Sequence, residues 1–236
     1  DTQLIRSDGA IFNLVSIENA LLTGGASSNL FIVTGWTKSA TLDGQGGFDT
    51  VRSINDTDFT LTNALLTRSD GASFNLVSID NAELGGGAAA NKFTVTGWTQ
   101  TAAIDGKGGT DSIVMVSDTD ITLADGLINR SDSANFTLIS VESAVITGGA
   151  SANTFTVSGW TKTATLDGGG GNDTVVSLND TNFTLADALL SRADGASFTL
   201  VSIEIARLTG GAAANTFTVS GWTKAATLDG AGGIDV

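Results

Sequence analysis

Residues 155–176 read FTVSGWTKTATLDGGGGNDTVV. Two short stretches, Phe155 to Ser158 and Thr163 to Leu166, alternate apolar and hydroxyl side chains with the period of two that a half-buried strand requires. Between and after them come a Gly-Trp-Thr corner and a run of four glycines, which no helix of useful length would survive. The block recurs along the chain. Gly-Trp-Thr returns with its tryptophan at Trp36, Trp98, Trp160 and Trp222, the same step each time. Asp-Gly-x-Gly-Gly follows each at Asp43, Asp105, Asp167 and Asp229, and Arg6, Arg68, Arg130 and Arg192 keep that step too.

This 62-residue unit divides again. The small residues Ala20, Ala40, Ala64, Ala82, Ala102, Gly126, Ala144, Ala164, Ala188, Ala206 and Ala226 align as sub-unit starts. Their spacing cycles: the step from Ala40 to Ala64 is the longest, that from Ala64 to Ala82 the shortest, and the pattern then repeats. The tenth position of each sub-unit is Asn29, Asp49, Ser73, Asn91, Asp111, Asn135, Asn153, Asp173, Ser197, Asn215 and Asp235. Short polar residues at a recurring turn suit a stacked corner, where they can hydrogen-bond along the column. A step of about 20 residues with two-residue periodicity is one coil of a parallel β-solenoid. About eleven coils, each rising about 4.8 Å, predict a rod on the order of 50 Å long around one continuous apolar core. Residues 1–236 thus read as a single β-solenoid repeat array. It starts and stops in mid-repeat without an atypical capping coil, and the expectation is a window on a longer chain.

Composition excludes several chemistries. Histidine, cysteine, proline and tyrosine are absent, so there is no disulfide, no Cys or His metal site and no histidine-based catalytic triad. Eleven scattered Lys and Arg against 25 Asp and Glu give a net charge of −14, which makes no basic footprint for nucleic acid. No apolar run approaches the roughly 18 residues of a membrane helix, so membrane insertion is not expected.

The glycine-aspartate corners are the first candidate site. Gly168 to Val176 fits the calcium-binding nonapeptide of RTX proteins at every position; the copies around Asp49, Asp111 and Asp235 lack its second glycine. Calcium wants six to eight oxygens, which aspartates and glycine-turn carbonyls can supply. The candidate ligands are Asp43, Asp49 and Asp70 on adjacent coils, then Asp105, Asp111 and Asp132, then Asp167, Asp173 and Asp194, with Asp229 and Asp235 in the last copy. The alternative is turn chemistry without metal, with Arg68 and its copies pairing Asp43 and its copies. Trp36, Trp98, Trp160 and Trp222 are the second candidate: a row of aromatics about 14 Å apart that stacks on sugars or a partner, or else packs under the longest coil. Paired acids such as Asp56 and Asp58 evoke glycosidases, but they recur one unit on as Asp118 and Asp120, whereas an active site is a unique constellation. No enzymatic activity is expected.

The chain resembles the repeat regions of giant bacterial surface or secreted proteins, of the RTX-like and haemagglutinin-type β-solenoid kind. Residues 166–176, LDGGGGNDTVV, and the degenerate copy at 148–157, GGASANTFTV, carry the resemblance. It implies a right-handed solenoid, export to the bacterial cell surface or a secreted matrix, and a role as spacer, adhesin or matrix component. The expected function is a structural stalk or self-assembling filament, associating with itself by coil stacking or lateral contact. An adhesin-type module for glycan or cell surface, or an accessory repeat of a secreted enzyme, is the alternative.

Overall fold

The computed structural model describes residues 2–7 and 9–236. Its described residues contain strands and turns and no helix. A short antiparallel pair, β1 (Gln3–Ile5) and β2 (Ile11–Asn13), comes first. The first long unit is β3 (Asn19–Thr23), β4 (Leu30–Ile32), β5 (Ser39–Asp43), β6 (Thr50–Ile54), β7 (Phe59–Thr62), β8 (Leu65–Arg68) and β9 (Ser73–Val77). The second repeats it as β10 (Asn81–Gly85), β11 (Lys92–Thr96), β12 (Thr101–Asp105), β13 (Ser112–Val116), β14 (Ile121–Ala124), β15 (Leu127–Arg130) and β16 (Asn135–Ile139). The third is β17 (Ser143–Thr147), β18 (Thr154–Gly159), β19 (Thr163–Asp167), β20 (Thr174–Leu178), β21 (Phe183–Ala186), β22 (Leu189–Arg192) and β23 (Ser197–Val201). A fourth, shorter unit holds β24 (Ile205–Thr209), β25 (Phe217–Val219) and β26 (Ala225–Asp229).

The long units form a parallel β-solenoid with two faces, a 13-stranded and an 11-stranded sheet, and the chain alternates between them. Coils stack in register, so like lies on like. Ala20 pairs with Ala40, Ala82 with Ala102, Ala144 with Ala164 and Ala206 with Ala226. Inward residues build one core: Leu42, Val51, Phe93, Ile104, Phe136, Leu166, Val175 and Phe198 are all fully buried. Each such side chain contributes roughly 1.5–3 kcal/mol by leaving water. Phe59 stacks on Phe93 and Phe183 on Phe217, ring centroids 5.3 Å apart in each pair, because parallel pairing sets identical residues face to face.

The steps from Ala20 to Ala40, Ala82 to Ala102 and Ala144 to Ala164 are simple coils, but the longest and the shortest step share an irregular element. β7, β8 and β9 form an antiparallel meander that folds back along the rod, so β9 lands on β5 while β7 meets β11. Ala64, Gly126 and Ala188, aligned in sequence as coil starts, occupy the turns of these meanders. The residue stacked on Ala40 is Phe74, as Phe136 is on Ala102 and Phe198 on Ala164.

Each unit crosses between the sheets five times, an odd number. Equivalent strands therefore swap faces: β3 and β17 lie in the 13-stranded sheet, β10 and β24 in the other. The meanders alternate faces accordingly. A unit lays five strands on one face and two on the other, and the next unit reverses the imbalance. The two sheets thus lengthen together.

Candidate functional site: the polar corner ladder

Where the chain turns between sheets, a glycine is followed five residues later by Asn or Asp. The asparagine corners close on themselves: Asn29, Asn91, Asn153 and Asn215 accept on Oδ1 the N–H of Gly25, Gly87, Gly149 and Gly211 at 2.7–2.9 Å. The backbone N–H of the same asparagines donates to Oδ1 of Asp49, Asp111, Asp173 and Asp235 on the next coil at 2.6–2.7 Å. The N–H of Asp49, Asp111 and Asp173 donates in turn to the carboxylates of Asp80, Glu142 and Glu204. At the other end Asp56, Asp118 and Asp180 accept Nδ2–H from Asn91, Asn153 and Asn215. The result is a ladder of four coils, Asp56–Asn91–Asp111–Glu142 in its second copy.

The tenth-position column is therefore real for Asn and Asp. Its third member is Asp80, Glu142 or Glu204, not Ser73, Asn135 or Ser197, which lie in strands β9, β16 and β23 because of the meander. Sequence reading missed these acids and the capping role of Asp56, although their recurrence once per unit was visible. Asp58 and Asp120, the partners in the apparent acid pairs, accept the N–H of Lys92 and Thr154 at 2.8 Å. Donors hold Asp56 and Asp118 below the usual carboxylate range: chiefly the Asn91 amide for the first and the Ser151 N–H for the second.

Packing in the corners leaves no room for a methyl group. A Cβ on Gly168 would lie 2.1 Å from the Ser202 carbonyl oxygen and 2.4 Å from Asp173 Oδ2. Gly168→Ala is expected to destabilise by about 1–3 kcal/mol through overpacking, read as a lowered urea midpoint. An unchanged midpoint would mean that the corner is looser than described.

The sequence-derived metal ligands fall into three environments. Asp43, Asp105, Asp167 and Asp229 each accept the backbone N–H two residues on, from Gln45, Lys107, Gly169 and Ala231. Those four residues all have positive φ, between 62° and 79°. The motif's second glycine thus marks a left-handed turn, which Gln45, Lys107 and Ala231 adopt at a steric cost. Asp49, Asp111 and Asp173 are buried rungs of the ladder, and Asp235 is the last rung. Asp70, Asp132 and Asp194 pair with the arginine two residues earlier. The expected Arg68–Asp43 pairing is thus replaced by Arg68–Asp70, because β8 carries the arginine into the meander's own turn. Despite the opposing cost of burial, the Arg68 guanidinium keeps the Asp70 carboxyl below its ordinary value.

Among the described residues no three acidic side chains converge to hold a metal ion. Most corner oxygens are taken by backbone donors, and the exceptions, Oδ2 of Asp49, Asp111 and Asp173, pack against glycine backbone. This donor set does not fit calcium, which takes six to eight oxygens.

The arginines tie the meander to the rod. Arg192 has a fully buried side chain. Its Nε bonds both oxygens of Asp194, Nη1 donates to Val157 O and Ser177 Oγ, and Nη2 to Trp160 O at 2.6 Å. Arg68 repeats the pattern on Asp70, Val33 O, Ser53 Oγ and Trp36 O. In the second unit Met115 stands where Ser53 and Ser177 do, and Arg130 Nε is left without a partner among the described residues.

The tryptophans sit beneath these clamps. Trp98 and Trp160 are fully buried, and Trp36 and Trp222 are partly buried against the core. Each indole N–H donates to the carbonyl three residues on. In the two inner units no indole face is open to a sugar. Two equivalent shallow grooves of about 270 and 260 Å³ lie beside the meanders. Asp120, Thr122, Ser131 and Thr156 line one; Asp58, Thr60, Ser69 and Thr94 line the other, one unit earlier. No family model matches the chain, and no curated protein is significantly similar to it.

Proposed function

We propose that the chain is a structural segment, a stalk or filament rod, of an extracellular bacterial surface protein, and that it is not an enzyme. One observation carries this reading. The acids, arginines and tryptophans that the repeat preserves make coil-to-coil contacts: N–H acceptors, clamps and core. The acidic, cysteine-free composition and the resemblance to surface-protein repeats support the extracellular setting. Lateral contact or stacking between copies would extend such a rod.

An adhesin reading has one observation in its favour, the recurring groove whose threonine and serine hydroxyls and one carboxylate suit a hydroxyl-rich ligand such as a saccharide. A glycan array probed with the chain separates the two. The stalk reading expects no saturable retention; the adhesin reading expects retention that Thr122→Val with Thr156→Val weakens and that adding Thr60→Val with Thr94→Val weakens further.

A further inference from the structure

We propose that the outer surface of the 13-stranded sheet is a lateral contact face, covered by the same face of a second copy of this chain. The inference rests on the rod reading above and names the surface by which such rods join side by side.

The middle of this face is uncharged. One rank of outward residues crosses every strand of the sheet except β25 in unbroken register. It begins at Asn19, passes Thr60, Thr94 and Val145, and ends at Leu189 and Ala186. Every residue along it is Asn, Ser, Thr, Val, Leu or Ala, in a chain whose net charge is −14. Elsewhere in the sheet Arg68 and Arg192 point inward, and Asp43, Lys92 and Asp167 stand at strand ends. The 11-stranded sheet differs. It holds Arg52 and Glu83, paired with each other, and Arg207, all in mid-strand. The difference follows the face and not the position in the repeat. Because units swap faces, the central residue of each unit's first strand falls alternately on the two sheets. It is Leu21 and Val145 on the 13-stranded sheet, Glu83 and Arg207 on the other. Water does not distinguish two faces of one rod in this way; a partner lying on one of them does.

Size, texture and charge identify the occupant. At about 4.8 Å per strand and about 3.3 Å per residue, the face measures roughly 60 by 17 Å, on the order of 1,000 Å² per copy. A specific interface needs about 800 Å² per partner. A second copy carries the same strand spacing, so the Thr and Val rows of one face seat between those of the other, as in a steric zipper. Leu21, Val145 and Leu189, exposed in the single chain, leave water, and facing hydroxyls pair. The corner acids stay in water at the rim, where interfaces accommodate charge. Two copies of an acidic chain repel through space, and salt screens that repulsion. The contact should therefore strengthen as salt rises, the reverse of an interface built on ion pairs.

The test is sedimentation equilibrium of the 236-residue chain at about 1 to 100 μM. Val145→Glu and Thr199→Glu each place a carboxylate at an exposed site of the uncharged rank. Val176→Glu, beside Arg207 on the 11-stranded sheet, is the control. The parent is expected to reach twice the monomer mass, at lower concentration in higher salt. Each face variant should weaken the association about tenfold or more, because it buries an unpaired charge, and the control should leave it unchanged. Melting curves establish that the variants fold; if one does not, the other variant and the parent's salt dependence decide. A parent still monomeric at the highest concentration overturns the proposal. So does association that salt dissolves, or association that both face variants retain, which would put the contact at the rod ends or on the other sheet. These three outcomes leave the rod reading standing. Retention on a glycan array that Val145→Glu abolishes would give the face to another occupant and overturn both.

Discussion

Replacing Arg192 with methionine is expected to cost about 3–5 kcal/mol, the range for removing one partner of a buried, hydrogen-bonded ion pair. Methionine fills much of the volume but provides no donor. The carbonyls of Val157 and Trp160 and the hydroxyl of Ser177 lose theirs, and Asp194 loses its counter-charge. The effect should be visible as a large drop in urea midpoint, with the third meander melting before the rest, because repeat arrays unfold through neighbour contacts. Arg130→Met gives an internal control. That arginine already lacks a partner on Nε and faces Met115 rather than a serine, so its loss should cost less. Equal costs, or no cost at Arg192, would show that the clamp does not hold the meander.

Trp160→Ala is expected to have an effect of similar size. Trp160 is fully buried, and deleting a buried aromatic side chain costs about 3–5 kcal/mol in lost transfer energy and cavity. The indole N–H bond to Thr163 O also disappears, along with the Lys162 ammonium's seat over the ring, 5.5 Å from its centroid. Trp222→Ala, at a partly buried site, should cost clearly less. Thermal unfolding of the two variants measures the difference. On a glycan array both should behave as the parent. A Trp160 variant with parental melting temperature and altered glycan retention would point to a binding role for the column and against packing.

The sequence carried the architecture because a parallel solenoid writes its period directly into the chain. The evenly spaced Gly-Trp-Thr corners and the Ala40-Thr41-Leu42 alternation are local signals, and the structure uses both as read. What it hid was topology. The longest and shortest steps resembled one long and one short coil, since Phe59 to Arg68 alternates like any other strand pair; nothing local says that β8 runs backward. That reversal moved Ser73 out of the corner column and put Asp80 into it. It also redirected Arg68 from Asp43 to Asp70. The swapping of faces between units was equally invisible, since it depends on counting sheet crossings, and the units are close copies of one another in sequence. The candidate site was legible as a set of residues and illegible as partners. Asp, Gly and Asn at a turn serve metal or hydrogen-bonded corners with the same spelling. Only the placement of each oxygen tells which, and here the oxygens of Asp43, Asp49 and Asp70 face three different neighbours.

A stalk must carry load along its axis, and stretching a single molecule by its two ends tests that most directly. The account predicts a series of force peaks as units peel away one after another. Each repeat unit occupies about 3.5 strand spacings, roughly 17 Å, in the rod. It extends to about 200 Å when unravelled, so successive peaks should be separated by a little under that length. Extension without force peaks, or one rupture releasing the whole chain, would contradict a rod built from independently clamped, stacked units.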